Sequence, residues 1–268
     1  MIRPPAVAGR FYPSDPRELT RQVDDFAGGA STKLSALGCV VPHAGYVYSG
    51  HVAGAVYSAL EIPARCILLG PRHYPQGQPM AILSDGSFVT PLGEARIDAT
   101  LAAELAQACP LVREDAVAHA REHSLEVQLP FLQRIAKERL RITPVVLATD
   151  RYGPMEALGR AVAEVVRAQN GGVLIVASSD MNHYESEDVT RAKDEHAIAR
   201  IRALDPRGLY DTVHNEGITM CGYAATVAML IAVRELGAGD AKLVRYATSG
   251  DVSGDHDQVV GYAGIVIW

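Results

Sequence analysis

The stretch Val173–Tyr184, VLIVASSDMNHY, decides the fold: an apolar run of strand length that breaks into Ser178, Ser179, Asp180 and His183. An unbroken apolar run reads as a strand buried on both faces, as in parallel sheets. Its carboxyl end then carries polar side chains to the edge where α/β sheets keep their sites. Three further segments repeat the arrangement. Cys39–Val41 runs into Pro42-His43-Ala44-Gly45-Tyr46, Cys66–Gly70 into Pro71-Arg72-His73-Tyr74, and Lys242–Thr248 into Ser249-Gly250-Asp251. Four strands ending in His, His, Asp plus His, and Asp point to one shared pocket, because parallel strands bring their carboxyl ends together. Were each cluster an ordinary solvated loop, imidazoles would have no reason to follow buried strands directly.

Outward from these strands, helical and extended patterns alternate, which predicts a three-layer α/β/α sandwich around a mostly parallel or mixed central sheet. The expected helices are Pro16–Phe26 capped by Ser14 or Asp15, Val52–Leu60, Ala99–Ala108 capped by Asp98, one starting near Ser124, Met155–Ala168, Ser186–Ala203, a short one opened by Asp205-Pro206, and Ala224–Leu236. Further strands are expected at Ile142–Ala148 and Val260–Ile267, and a short hairpin around Asp85-Gly86 joining Met80–Leu83 to Ser87–Thr90. Pro4–Pro13 reads as an irregular arm, and the small, polar run from Gly28 to Ser35 as a loop. No Pro-, Gly- or Ser-rich linker divides the 268 residues, so residues 1–268 are expected to form one domain.

Lys and Arg total 25 against 31 Asp and Glu, a net charge of −6, with no basic cluster, which argues against nucleic acid and anionic membranes as partners. The amino terminus has no apolar core of signal-peptide length and no segment has the continuous apolar length of a membrane span, so a soluble, cytoplasmic protein is expected. Cys39, Cys66, Cys109 and Cys221 are widely spaced without a CxxC pair and are expected as free thiols.

His119-Ala-Arg-Glu122-His123 fits the H-x-x-E-H metalloprotease pattern. That chemistry needs both imidazoles on one helical face, and a helix beginning near Ser124 separates them. His123 remains either a neighbour of the pocket or a hydrogen-bonded core histidine.

Cys221 is the most informative single residue. Placed at the start of the Ala224–Leu236 helix, its thiol is expected to be acidified by unpaired backbone NH groups and the helix dipole, as a metal ligand or a nucleophile. Two histidines after separate strands plus one anionic ligand form the minimal kit for a metal with open positions, and a thiolate in place of a carboxylate widens the choice to iron, zinc or copper. Asp180 and His183 are then the working pair, the imidazole moving a proton and the carboxylate orienting it. Asp251 is a candidate for the same task or for an Asx turn, whereas Asp255 and His256 are assigned to the turn.

Seven motifs together are familiar: PAVAGRFYP (Pro5–Pro13), PHAGYVYSG (Pro42–Gly50), GPRHY (Gly70–Tyr74), EHSLEVQLPFLQ (Glu122–Gln133), SSDMNHY (Ser178–Tyr184), MCGY (Met220–Tyr223) and SGDVSGDHDQVVGYAG (Ser249–Gly264). Along nearly its entire length the chain resembles the Memo family, known in prokaryotes as AmmeMemoRadiSam system protein B. The resemblance implies the fold of the class III extradiol dioxygenases and a metal pocket with His43, His73 and Cys221 as ligands and Asp180 and His183 beside them. Iron or copper is the expected metal, with zinc also possible. Where the dioxygenases have a carboxylate ligand this chain has Cys221, a departure that sets ring cleavage in question because a thiolate alters the metal's charge and is itself oxidisable. Arg72 is bulkier and more charged than the residue expected before His73, and is assigned to narrowing the pocket or binding an anionic substrate. Tyr46, His123, Ser179 and Asp251 complete the expected surroundings.

Three functions follow. One is a redox or oxygen-dependent metalloprotein acting on a small molecule. Another is a metal-free thiol enzyme with Cys221, His183 and Asp180. A third is non-enzymatic recognition of a peptide or partner, with a functional link to a radical SAM protein implied by the family name.

Overall fold

In the computed structural model, which describes residues 1–28, 33–169 and 172–268, the apolar runs become the middle of one sheet. Four strands lie parallel in the order Arg141–Leu147, Arg65–Pro71, Val173–Ser178, Gly38–Val41. Every residue of Val173–Ser178 is buried. A strand covered by helices on both faces has no solvent side, which is why its sequence does not alternate. Beyond Gly38–Val41 the sheet turns antiparallel through Val259–Ile267 and ends at Ala241–Thr248.

Helices Pro16–Ala27, Tyr46–Ser58 and Leu129–Ile135 pack together on one side of this sheet, while Ala99–Ala108, Tyr152–Arg167 and Tyr223–Glu235 form the other layer. All residues from Ala224 to Val233 are buried, so that helix is apolar all round, held between the sheet and Tyr152–Arg167. The result is a mixed three-layer α/β fold whose sheet counts twelve strands, with ten α-helices among the described residues. No helix among them is long and apolar enough to cross a membrane. Part of the loop expected from Gly28 to Ser35, residues 29–32, lies outside the described residues.

Three expectations need correction. The hairpin around Asp85-Gly86 does not form. Ser87–Thr90 pairs with Gly93–Ile97, across a turn containing Pro91 and a left-handed Gly93 at φ 110°, and Met80–Ile82 pairs instead with Arg141–Leu147 and Arg113–Glu114. Both glycines suit a turn, and only the sheet decides which one closes a hairpin. The helix expected at Val52–Leu60 starts at Tyr46, because packing of the buried Tyr46 ring against Phe131 outweighs the weak helix propensity of Tyr-Val-Tyr. The helix expected from Ser124 is broken into a 3-10 turn, Glu126–Gln128, and the short helix Leu129–Ile135.

The irregular arm is tied down by charge. Arg3, fully buried, forms an ion pair with the equally buried Glu126 and donates to the carbonyls of His119 and Glu122. Glu126 also accepts from the backbone N–H groups of Ala6 and Val7, at 2.8 and 3.1 Å, and from the Tyr12 hydroxyl at 2.5 Å. A buried pair satisfied this fully holds its place, but removing one partner strands the other's charge. Arg3→Met should therefore cost about 3–5 kcal/mol in urea unfolding, and adding Glu126→Gln should restore part of that loss. An Arg3→Met protein as stable as wild type would contradict this account.

Candidate metal centre

The parallel register brings the functional side chains to one edge. Val41 pairs with Ser178, and Leu69 with Ala177, so the three strands end within one residue of one another. His43, His73 and Asp180 each stand two residues beyond the last residue of their strand. Cys221 arrives from the other direction, in the turn before helix Tyr223–Glu235. Gly222 makes that approach possible: a Cβ there would lie 2.3 Å from the Ser178 carbonyl oxygen, and its N–H donates to Ser179 Oγ at 3.0 Å.

Ligand atoms of His43, His73 and Cys221 lie within 4.8 Å of one another, as do those of Asp180, His183 and Cys221, and of His73, Glu122 and His123. Cys221 Sγ is 3.3 Å from His43 Nε2. The His43 and His73 rings sit edge to face at 5.2 Å, and His123 stacks on His73 at 4.6 Å. Asp180 Oδ1 accepts the His43 backbone N–H at 2.7 Å, which fixes the backbone that carries the imidazole.

Glu122 is the residue that sequence reasoning missed. Its Oε1 accepts from His73 Nδ1 at 2.9 Å and from the backbone N–H groups of His123 and Ser124 at 2.9 and 2.8 Å, while Oε2 accepts the His73 N–H at 2.5 Å. One carboxylate thus joins the loop after Arg65–Pro71 to the loop before Glu126. The signal was the Glu-His pair inside the protease-like pattern. The other histidine of that pattern is elsewhere: His119 lies in the short helix Ala116–Ala120, its Nε2 3.1 Å from the Ala81 carbonyl.

Burial dominates the electrostatics. It pulls the His43 imidazole down to about 3, with His73 adding to the effect, and His123 down to about 4, helped by His43. At His73 burial also pulls down, but the hydrogen bond and charge of Glu122 outweigh it and the value rises. Burial would raise Glu122, yet its hydrogen bond to His73 and that imidazole's charge hold it well below the usual carboxylate range. Asp180 is raised by burial against the opposing His43 N–H. The Cys221 thiol is pushed up, first by burial and then by the Asp180 carboxylate. The acidified thiol expected from a helix start is therefore corrected: Cys221 precedes the first helical turn, and desolvation outweighs what the dipole supplies.

The surrounding cavity, about 570 Å³, is lined by Phe11, Tyr184, Thr219 and Tyr262 as well as by His43, His73, His123, Asp180, His183 and Cys221. Four other expected residues do not line it. Arg72 turns away and donates to the carbonyls of Gln76 and Gly77, closing its own loop. Tyr46 is buried beneath the site with its hydroxyl on the Val127 carbonyl at 2.8 Å, and Ser179 donates to the Asp180 carbonyl at 2.7 Å. Asp251 accepts the Thr248 N–H at 2.7 Å and faces Arg191. Its strand is the outermost one, and Val260 and Tyr262 of the intervening antiparallel strand take the place expected for it. Cys39, Cys66 and Cys109 are free and buried, whereas Cys221 is partly exposed.

A family model described as "Memo-like protein" matches residues 3–266. A MEMO1 family protein of Methanopyrus kandleri is 41% identical over 279 residues, covering 99% of each chain, and one of Aquifex aeolicus is 41% identical over 266 residues, covering 99% of this chain and 98% of that one. A crystal structure of an uncharacterized Escherichia coli protein matches the fold alone, with a TM-score of 0.54 at 10% identity, over 85% of this chain and 98% of that one.

Two outcomes are expected for metal-free protein. His43, His119 and His123 are held neutral in the fold, with values of about 3, 4 and 4, but regain a value near ~6.5 when unfolded. The unfolded chain then binds more protons as pH falls below ~6.5, so these groups reduce stability there, while the raised His73 acts in the opposite sense. Urea midpoints should fall between about pH 7 and pH 5; a flat profile would refute the neutral assignment. Iodoacetamide should label Cys221 alone among the four cysteines, at a rate still climbing above the ~8.5 of an ordinary thiol. A plateau reached below neutral pH would show an acidic thiol instead.

Proposed function

The chain belongs to the Memo-like protein family, and on that premise we propose that it is a redox or oxygen-dependent metalloprotein, with iron or copper held by His43, His73 and Cys221. The observation that carries the reading is the meeting of two imidazoles and one sulfur within 4.8 Å, delivered by three separate loops to the floor of one cavity. The donor set fits an ion. His43 is neutral, as a ligand must be, and the Cys221 thiol has a proton to lose to a cation. The His183 Nδ1 atom is buried without a partner among the described residues, and an unpaired polar atom beside such a cluster has a use for a ligand. Imidazole and thiolate together suit iron, copper and zinc, and zinc is the alternative without redox chemistry.

When bound, an ion of this kind would supply a redox couple and a Lewis-acidic position open to the cavity. The chain's own residues do the rest. Asp180 holds the His43 backbone. His183, on the cavity wall, can take a proton from a molecule in the cavity or return it. Phe11, Tyr184 and Tyr262 offer rings against which the apolar part of a small substrate or peptide side chain can lie.

The metal-free thiol enzyme with Cys221, His183 and Asp180 finds less support, because burial and the Asp180 carboxylate push the thiol up, away from the thiolate such an enzyme needs. Recognition of a peptide or partner, including a radical SAM protein, draws on the cavity mouth, where the Tyr184 ring is 72% exposed. Such binding would persist in a His43→Ala/His73→Ala double variant if it were independent of the metal.

The test is elemental mass spectrometry of protein purified anaerobically without a His tag, wild type beside Cys221→Ser and His43→Ala. Near-stoichiometric iron or copper in wild type, lost in both variants, is expected. Equal trace metal in all three, with no uptake on reconstitution, would remove the metalloprotein reading.

A further inference from the structure

We infer that Glu122 and Ser178 are positioning residues that set both cavity imidazoles in one tautomer, proton on Nδ1 and lone pair on Nε2, before any ligand binds. The inference deepens the metalloprotein reading and follows from counting donors and acceptors. At His73 the count is short: Nδ1 faces a carboxylate oxygen of Glu122 at 2.9 Å, which can only accept from it, so Nδ1 carries the hydrogen and, in the neutral ring, Nε2 is left with the lone pair.

At His43 the assignment passes through three side chains. Nδ1 lies 2.9 Å from Ser178 Oγ, a hydroxyl that could donate or accept. Its hydrogen is already committed to the Ser124 carbonyl at 2.7 Å. Gln128 Nε2 approaches the same oxygen at 2.8 Å, and that amide cannot be flipped: Nε2 also donates to the Pro42 carbonyl at 2.9 Å, and Oε1 accepts the Tyr57 hydroxyl at 2.8 Å. With its hydrogen spent and one lone pair filled by Gln128, Ser178 Oγ can only accept from His43. His43 Nδ1 is therefore the protonated nitrogen, and Nε2, 3.3 Å from Cys221 Sγ, presents a lone pair.

The two imidazoles are pinned alike but backed unequally. Behind His73 stands a full negative charge that strengthens its donor nitrogen, and behind His43 a neutral hydroxyl. Losing Glu122's charge should weaken the site without freeing the ring, whereas losing Ser178 should free the ring of His43.

Long-range proton–nitrogen correlation spectra of metal-free, 15N-labelled protein at mildly alkaline pH read the tautomers directly. Both residues are expected with hydrogen on Nδ1 in wild type, and Ser178→Ala should shift His43 toward the Nε2–H form, donating to the Cys221 sulfur. Cobalt titration, followed by the thiolate-to-cobalt absorption band, should show roughly 10–100-fold weaker binding in Glu122→Gln, the range usual for loss of a group behind a metal ligand. Nε2–H on either residue in wild type would overturn the inference, whichever variants fold. So would a Glu122→Gln protein that binds cobalt as wild type does. The stated tautomers in a wild type that takes up no cobalt would instead leave the positioning roles standing and remove the metalloprotein reading beneath them.

Discussion

A buried carboxylate that must be fully satisfied governs the site. Glu122 is almost wholly removed from solvent, and an ionised group there survives only if its lone pairs are met. Three backbone N–H groups and one imidazole meet them. Because those donors belong to two loops that are distant in sequence, the electrostatic requirement becomes a geometric one: the loop carrying His73 and the loop carrying His123 cannot move apart without exposing the charge. Glu126, four residues on, repeats the device with Arg3 and the amino-terminal arm, so Phe11 is brought to the cavity wall by the same logic.

Beneath this lies the sheet. Parallel pairing with strands ending within one residue of one another gives three loops a common origin, and His43, His73 and Asp180 each stand two residues beyond their strand. The antiparallel strand Val259–Ile267 then supplies a wall rather than a ligand, since it enters the site at its beginning. Cys221 completes the set only because Gly222 lets the turn lie against the end of Val173–Ser178. The resulting cavity is charged in its surroundings but holds neutral imidazole and thiol at the point where ligand atoms converge.

How much of this was legible from the sequence depends on how local each feature is. Buried parallel strands announce themselves as continuous apolar runs, helix starts at Asp15, Asp98 and Asp205 as side-chain caps, and the polar residues after each strand as a shared edge. These are properties of a few consecutive residues, and they sufficed for the three-layer fold and for the residues that gather at its edge. Arg72 and Asp251 looked equally well placed by the same rule. Their side chains serve their own loops, because a long guanidinium beside free carbonyls closes a turn at less entropic cost than it reaches a cavity, and because the strand before Asp251 is the outermost one.

The sequence by itself determined the strands, the layers and the residue types available to the cavity, since periodicity and capping act within a few residues. Only the tertiary structure decided which turn closes the hairpin at Gly93, that Glu122 rather than a second protease-like histidine stands behind His73, and that desolvation rather than a helix dipole sets the state of Cys221. Each of those outcomes depends on what a distant segment places within a few ångströms, and charge, burial and hydrogen-bond satisfaction are properties of that assembled surrounding rather than of the residue.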